Sequence, residues 1–203
     1  MRNIRIIKNQ ANNISWKQRI NLLKTALFVE KSILVYSQEL PGTAVKYAAW
    51  NDEEKIEKGN ISTLALAEQK KAPLPWEFKC HKYDKVEDFF IVRDAEGIQH
   101  ISWIYFHHHR NRILSLSEDE AEIKFCLTLP KFRGQGIYPK VLCAIKDYLI
   151  SVAVRRVFIC ADRNNHPSIR GIEKAGFKRA GEVRLRKFMG IQISSRLDTK
   201  RLQ

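Results

Sequence analysis

Two glycines stand one residue apart in the stretch "LPKFRGQGIYPKVL", residues 129 to 142, between an apolar run and a segment with helical spacing. A glycine at such a junction lets main-chain N–H groups approach an anion closely, because it has no side chain. The first turn of the following helix adds a partial positive charge at the same place. Gly134 and Gly136 therefore predict a loop that binds phosphate.

Two familiar phosphate loops do not fit this stretch. The chain has no GxxxxGK[ST] sequence, which is typical of P-loop nucleotide-binding proteins. The dinucleotide fingerprint GxGxxG fails because Pro139 stands where its third glycine would be. The loop must therefore belong to another class of phosphate site.

The segments around the loop alternate between strand and helix. "EIKFCLTL", residues 122–129, predicts a strand that leads into the loop. Apolar residues recur on one helical face over 137–152, and "RRVFICA", residues 155–161, predicts a buried strand. Residues 166–175 predict a short helix that ends at Gly176. The loop thus lies inside a strand, helix, strand unit.

The first half of the chain has a different order of elements. Residues 15–28 predict an amphipathic helix that begins with a capping box, and 51–71 predicts a polar helix ended by prolines. Four other segments have strand character: 32–37, 88–94, 98–106 and 182–194. The pair around Gly97 predicts an antiparallel hairpin.

Together these segments predict a mixed α/β protein of the α+β type. A chain of 203 residues with 44% hydrophobic content can bury a substantial core, and we predict one domain over residues 1–203. No apolar run reaches the roughly 18 residues that a membrane span needs. The first residues lack the uninterrupted apolar core of a signal peptide. We therefore expect a cytoplasmic protein without a membrane span.

The four cysteines are far apart and form no CxxC pair, which favours reduced thiols: Cys80, Cys126, Cys143 and Cys160. The formal net charge of +14 is concentrated at the two ends of the chain. Six basic residues and no acidic residue precede Glu30, and residues 178–201 hold eight basic residues against two acidic ones. Such ends attract RNA, anionic headgroups or phosphorylated small molecules, or they are only solvated surface.

The glycine loop closely resembles the signature Q/R-x-x-G-x-G/A of the GNAT acyltransferase superfamily. Lys131, Gly134 and Gly136 occupy the signature positions, with lysine in place of Gln or Arg. A second block, "NHPSIRGIEKAGF" at 165–177, is similar to the segment that follows the family's fifth strand. The two motifs cover residues 120–177, whereas residues 1–75 match no motif of the family.

The resemblance implies a mostly antiparallel sheet, flanked by helices, that splits in a V between the family's fourth and fifth strands. It also implies acetyl-CoA as the acyl donor. The diphosphate would lie on the main chain of the loop: Lys131, Phe132, Arg133, Gly134, Gln135, Gly136 and Ile137. Leu127 and Leu129 would offer main-chain groups to the pantetheine arm, and Asn165 and Ser168 would lie beside it. Helix capping is the alternative explanation for Asn165 and Ser168.

The resemblance also suggests how protons move. A glutamate four residues before a cysteine accepts the amine's proton in the histone-acetylating branch, and Glu122 has this position. The alternative is that Glu122 is the solvated end of the acidic loop "SEDEAE". The family's usual acid is a tyrosine where this chain has Ile172. Tyr138, Ser168, water or no group at all would replace it.

Three consecutive histidines, residues 107–109, suggest a metal site at first sight. Adjacent residues of a strand point to opposite faces, so only His107 and His109 could share an ion. We predict no metal. Participation of one of the two histidines as a base or in substrate binding remains open.

The acceptor is the least determined part of the prediction. The resemblance favours N-acyl transfer to a small primary amine, such as an amino sugar or a nucleotide-linked amino sugar. Transfer to aminoacyl-tRNA or to a protein amine is a second hypothesis, because the basic ends suit nucleic acid. A domain that binds acyl-CoA or RNA without catalysis is the third. The sequence predicts no oligomeric state.

Overall fold

The structure is a computed structural model that describes residues 28–42, 55–70, 74–94, 97–110, 112–188, 191–192 and 197–198. The described residues form four α-helices: α1 (Ile61–Lys70), α2 (Cys80–Asp84), α3 (Ile137–Ser151) and α4 (His166–Lys174). Short 3₁₀ turns precede α2 and α3, at Trp76–Lys79 and Pro130–Phe132. The strands are β1 (Phe28–Glu39), β2 (Lys55–Lys58), β3 (Phe89–Asp94), β4 (Gly97–Phe106), β5 (Leu114–Ser115), β6 (Glu120–Thr128), β7 (Arg156–Asp162), β8 (Lys178–Phe188), β9 (Ile191–Gln192) and β10 (Leu197–Asp198).

Eight strands form one mixed sheet in the order β2-β3-β4-β6-β7-β1-β8-β9. Neighbouring strands are antiparallel except β6 and β7, which are parallel. β5 and β10 form a separate parallel pair. This architecture confirms the predicted mixed, mostly antiparallel sheet flanked by helices.

The sheet splits where β6 and β7 separate. The two strands pair from Glu120 opposite Arg156 to Ile123 opposite Ile159. β6 then continues to Thr128 against β4, while the end of β7 pairs with β1. A V-shaped cleft therefore opens beyond Ile123, as predicted.

A β-bulge in β6 follows directly after the point of separation. Two residues of β6, Phe125 and Cys126, lie opposite the single residue Ser102 of β4, and Phe125 has φ of 49°. A bulge bends its strand and increases the local twist. This bend turns β6 away from β7 and helps to open the cleft.

The helix after the loop packs as its periodicity predicts. Ile137, Val141, Ile145 and Leu149 of α3 are buried in one core with the inner faces of β6 and β7. Lys146 is also buried, and its Nζ donates to Ala175 O at 2.6 Å and to Gln38 Oε1 at 3.0 Å. α3 is thus tied to the end of α4 and to β1.

The opposite face of the sheet has its own core. Phe89, Trp103 and Tyr105 pack there with Leu64 of α1 and Phe78 of the first 3₁₀ turn. Apolar layers therefore cover both faces of the middle strands, which makes the sheet a rigid support for the cleft.

Of the two helices predicted in the first half of the chain, one needs correction and the other lies largely outside the described residues. The polar segment 51–71 is not one helix: β2 forms an edge strand, and α1 begins only at Ile61. Gly59 lies between β2 and α1. This position requires glycine because a Cβ would collide with the Phe89 ring. Residues 15–27 of the predicted first helix are not described, and Phe28 already belongs to β1.

None of the helices in the described part of the chain is long and apolar enough to cross a membrane.

Candidate active site

A cavity of about 560 Å³ occupies the cleft between the end of β6 and the beginning of α4. The loop before α3 closes one side of it. Its lining residues are His100, Cys126, Leu127, Thr128, Phe132, Arg133, Gly134, Gly136, Ile137, Tyr138, Pro139, Asn165, Pro167, Ser168, Arg170 and Gly171.

The two loop glycines are required by the main-chain conformation. Gly134 has φ of 82° and Gly136 has φ of 76°, both in the left-handed region that other residues avoid. A Cβ built on either glycine meets nothing within 4 Å. The space above the loop is therefore open to a ligand.

The N-terminus of α3 adds positive charge to this side of the cavity. Gly136 is its N-cap without a side-chain hydrogen bond, and the first turn contains no acidic residue. No carboxylate of that turn compensates the positive end of the helix dipole. The Arg133 side chain is exposed, and its Nε donates to Thr128 O at 3.1 Å.

The structure places most of the predicted loop residues around the cavity. Phe132, Arg133, Gly134, Gly136 and Ile137 line it. Lys131 and Gln135 are exposed and do not line it. The Lys131 Nζ instead lies 5.3 Å from the centroid of the Phe132 ring.

Leu127 lines the cavity, and Leu129 does not. Leu129 N donates to Gln99 O at 2.9 Å, and Leu129 O accepts from Phe132 N at 2.9 Å. Both of its main-chain groups are therefore used within the protein. Because the main-chain groups of successive strand residues point to opposite sides, those of Thr128 face the cleft, where Thr128 O accepts from Arg133 Nε at 3.1 Å.

Asn165 and Ser168 lie at the N-terminus of α4, beside the cavity. Asn165 Oδ1 accepts from Ser168 N at 3.3 Å, which caps α4. Both residues also line the cavity. Capping thus fixes the side of the cavity opposite β6.

A buried histidine that the sequence analysis did not select forms part of the cavity wall. His100 of β4 is fully buried, with Nδ1 at 2.7 Å from Thr128 Oγ1 and Nε2 at 2.7 Å from Ser102 Oγ. Burial lowers the pKa of His100 to about 3, so its ring is neutral. The spacing of His100 and Ser102 was an available signal, because residues two apart on a strand share a face.

Tyr138 also lines the cavity, from the first turn of α3. A Cβ on Gly171 of α4 would lie 2.5 Å from Tyr138 Cδ1, so the ring packs directly on the main chain of α4. Its hydroxyl is 3.5 Å from Ser168 Oγ, and it also interacts with the Cys126 thiol. Burial holds the pKa of Tyr138 well above the usual range, which keeps the phenol protonated.

Glu122 lies at the apex of the cleft and not at its surface. It is fully buried, which contradicts the alternative that it is a solvated loop end. Its Oε2 accepts from Ile113 N at 3.0 Å and from Leu114 N at 3.3 Å. Burial raises the pKa of Glu122, and the nearby Lys124 ammonium opposes that rise. Glu122 does not line the cavity, but its neighbour Ile123 is the last β6 residue paired with β7.

The position of the family's usual acid is closed to the cavity. Ile172 is fully buried in the core between α3 and α4. Neither its chemistry nor its location allows proton transfer.

The three histidines do not have the strand geometry that the sequence suggested. β4 ends at Phe106, and His107 and His108 form a turn, so alternation along a strand does not apply. His109 Nδ1 accepts from Phe106 N at 2.9 Å. Phe106 lies opposite Ala121, so the histidine turn is beside the beginning of β6. The cavity lies at the other end of that strand. Within the described residues, no group of three or more His, Cys, Asp or Glu is arranged to hold a metal ion.

Comparison with known proteins agrees with this geometry. Residues 41–178 match the sequence profile of the acetyltransferase (GNAT) domain. The chain therefore belongs to the GNAT family of acetyltransferases. No curated protein matches the sequence of the chain.

Several solved structures have a similar fold. A GNAT acetyltransferase from Colwellia psychrerythraea is 14% identical, with a TM-score of 0.54 over 79% of this chain and 56% of that one. A GCN5-related N-acetyltransferase from Sphaerobacter thermophilus is 16% identical, with a TM-score of 0.53 over 90% of this chain and 60% of that one. The glucosamine N-acetyltransferase region of a fungal multi-domain protein is 12% identical, with a TM-score of 0.54 over 87% of this chain and 23% of that one. The chain spans well under two thirds of the length of each of these proteins.

Proposed function

We propose that the protein transfers an acetyl or short acyl group from acyl-CoA to a primary amine. The observation that carries this proposal is the cavity at the split of the sheet, which has the glycine loop and the N-terminus of α3 on one side. Membership of the GNAT family supports the reaction class, and the lining of the cavity supports its location there.

The donor fits the cavity by its chemistry. The open main chain at Gly134 and Gly136, the positive end of α3 and the Arg133 guanidinium suit a diphosphate. The main-chain N–H of Thr128 at the cleft suits an amide of a pantetheine arm, which would take the place of a missing strand beside β6. These residues orient the thioester toward the apex of the cleft.

Attack on the thioester requires a neutral amine, and Glu122 is the proposed base. It lies at the apex, and its raised pKa makes it a stronger proton acceptor than an ordinary carboxylate. Because Glu122 does not line the cavity, the proton passes to it through water. The carboxylate is held in place by the main-chain N–H groups of residues 113 and 114.

For the acceptor, we propose an amino sugar or a nucleotide-linked amino sugar. The net charge of +14 favours an acceptor that carries phosphate. The fungal glucosamine N-acetyltransferase region is similar in fold alone and does not add to this point. The same charge supports the second hypothesis, an aminoacyl-tRNA or a protein amine, and the predicted cytoplasmic location suits all of these acceptors.

The experiment is a transfer assay with isotopically labelled acetyl-CoA. Purified protein is incubated with amino sugars, nucleotide-linked amino sugars, aminoacyl-tRNA and peptides, and the products are identified by mass spectrometry. Labelled amide on a sugar amine supports the proposal, and labelled aminoacyl-tRNA or peptide supports the second hypothesis instead.

Binding of acetyl-CoA without labelled amide on any acceptor would leave only the third hypothesis, a binding domain. The Gly136→Glu variant serves as the control, because a carboxylate at the loop should repel the diphosphate and abolish transfer. Transfer by this variant at the rate of the wild type would show that the label arrives by another route.

A further inference from the structure

One phenol lines the cavity, that of Tyr138, which the sequence left as one of several candidates for the acid of the reaction. We propose that Tyr138 donates a proton to the sulfur of coenzyme A as the thiolate leaves. This inference rests on the proposed function and assigns a catalytic residue on the helix after the glycine loop. The family's usual acid stands on the helix after β7, where this chain has Ile172.

The position of the ring supports this assignment. Tyr138 projects from the first turn of α3 across the cavity to α4, and Gly171 leaves the space that its ring fills. Any larger residue at 171 would push the ring away, since even a Cβ would lie 2.5 Å from Cδ1. The hydroxyl thus stays beside the Cys126 thiol at the bulge of β6, where the proposed pantetheine arm would lie.

Two other polar side chains of the cavity wall, those of His100 and Asn165, already have partners. Both ring nitrogens of His100 have partners at 2.7 Å, and Asn165 Oδ1 accepts from Ser168 N. The Tyr138 hydroxyl lies 3.5 Å from Ser168 Oγ, which is long for a hydroxyl pair, and its other contact is the Cys126 thiol, a weak hydrogen-bonding group. A sulfur atom entering the cavity would therefore give this phenol a better partner.

The proton and electron changes of the step balance. The amine nitrogen attacks the thioester carbon and forms the C–N bond, and the C–S bond breaks with its electron pair on sulfur. Tyr138 gives its proton to that sulfur, which yields the free thiol. The proton lost by the amine passes to Glu122 through water and from there to solvent, and the phenolate regains a proton from solvent, so no other reactant is consumed.

The first test compares Tyr138→Phe with Tyr148→Phe. Tyr148 lies on the same helix, but its hydroxyl contacts Lys58 and Asp88 away from the cavity. With an amine that the wild type acetylates, Tyr138→Phe should lower kcat about 10²-fold with an unchanged KM for acetyl-CoA. Tyr148→Phe should keep the wild-type kcat. A Tyr138→Phe variant with the kcat of the wild type would overturn the proposal.

A second test separates this proposal from the proposed function. The thiol pKa of bound coenzyme A is measured from the ultraviolet absorbance of its thiolate. A hydrogen bond from Tyr138 should hold that pKa below the value for free coenzyme A, and Tyr138→Phe should remove the shift. Equal thiol pKa values in the two proteins would overturn the proposal even if the wild type acetylates amines. A shift that depends on Tyr138, in a protein that acetylates no amine, would support the contact and contradict only the proposed function.

Gly171→Ala supplies an independent variant that keeps the phenol. Its added methyl should displace the Tyr138 ring and lower kcat in the same way, although alanine favours the helix. The double variant with Tyr138→Phe should lose no more than Tyr138→Phe alone. Additive losses would show that Gly171 acts by a different route and would contradict the packing argument.

Discussion

Glu122 allows the proposed proton transfer to be tested at the scale of a single residue. Glu122→Gln keeps the shape of the side chain but cannot accept the amine's proton. We expect kcat to fall by about 10²- to 10⁴-fold while the affinity for acetyl-CoA stays unchanged. The defect should shrink as the pH approaches the pKa of the amine, because the acceptor then arrives neutral. The measurement is a pH and rate profile with one identified acceptor.

His107→Ala and His109→Ala are the matched variants for this profile. The histidine turn lies at the far end of β6 from the cavity, so both should retain the wild-type rate. A Glu122→Gln profile that matches the wild type would remove Glu122 as the base, and a loss in either histidine variant would point to that turn.

Burial of Glu122 also predicts how stability changes with pH. Its pKa is raised in the folded protein, so the folded state binds more protons than the unfolded state between the two pKa values. The ionised side chain therefore opposes folding at neutral pH, and this cost disappears as the pH falls through the raised pKa. Urea unfolding should show Glu122→Gln at least as stable as the wild type at neutral pH, with a difference that closes toward about pH 4. A difference that widens on acidification would contradict the raised pKa.

Arg133 tests the charge at the loop. Arg133→Ala should weaken acetyl-CoA binding by about 1 to 2 kcal/mol, the range for a partly exposed charge-assisted contact. Arg155→Ala is the matched control, because Arg155 is exposed and pairs with Asp119 away from the cavity. Isothermal titration gives both affinities. Equal losses in the two variants would mean that only the overall charge matters.

The sequence predicted individual residues best where the requirement is local. Gly134 and Gly136 could be selected because a left-handed main chain demands glycine whatever surrounds it. Leu129 could not be placed, because the side to which its main-chain groups point depends on the register with β4 and on the bulge. The burial of Glu122 is likewise a property of the packed sheet.

At the scale of elements, the cap of α4 shapes the wall of the cavity. Asn165→Ala removes the acceptor for Ser168 N and should lower the free energy of unfolding by about 1 kcal/mol. Asn165→Ser keeps a capping oxygen and should stay close to the wild type. Urea unfolding of the three proteins provides the measurement. An alanine variant as stable as the wild type would show that the cap does not hold α4.

Long periodic segments were predicted well, and short polar ones were not. α3 and the hairpin of β3 and β4 follow from apolar spacing that recurs over several turns or residue pairs. β2 is four residues long and mostly charged, so its edge position leaves no apolar pattern to read. The place of β1 between β7 and β8 depends on long-range pairing, which no local pattern encodes.

At the scale of the whole molecule, the split sheet explains why the motifs stand where they do. The loop motif follows one of the two separating strands, and the block at 165–177 follows the other. The parallel pairing of β6 and β7 brings both motifs to the same edge of the sheet. The prediction of a single domain over residues 1–203 stays a prediction, as does the role of the basic ends.

The most direct measurement of the central claim is an isothermal titration of acetyl-CoA against three glycine variants. Gly136→Ala introduces the strain of a left-handed main chain without charge, and Gly42→Glu introduces the charge at an exposed position after β1. If the cavity at the split binds the diphosphate, wild type and Gly42→Glu should bind alike. Gly136→Ala should then bind somewhat more weakly, and Gly136→Glu at least about 10-fold more weakly again, since it sets a carboxylate against the phosphates. Equal affinity of Gly136→Glu and the wild type, or no binding by the wild type, would contradict the account.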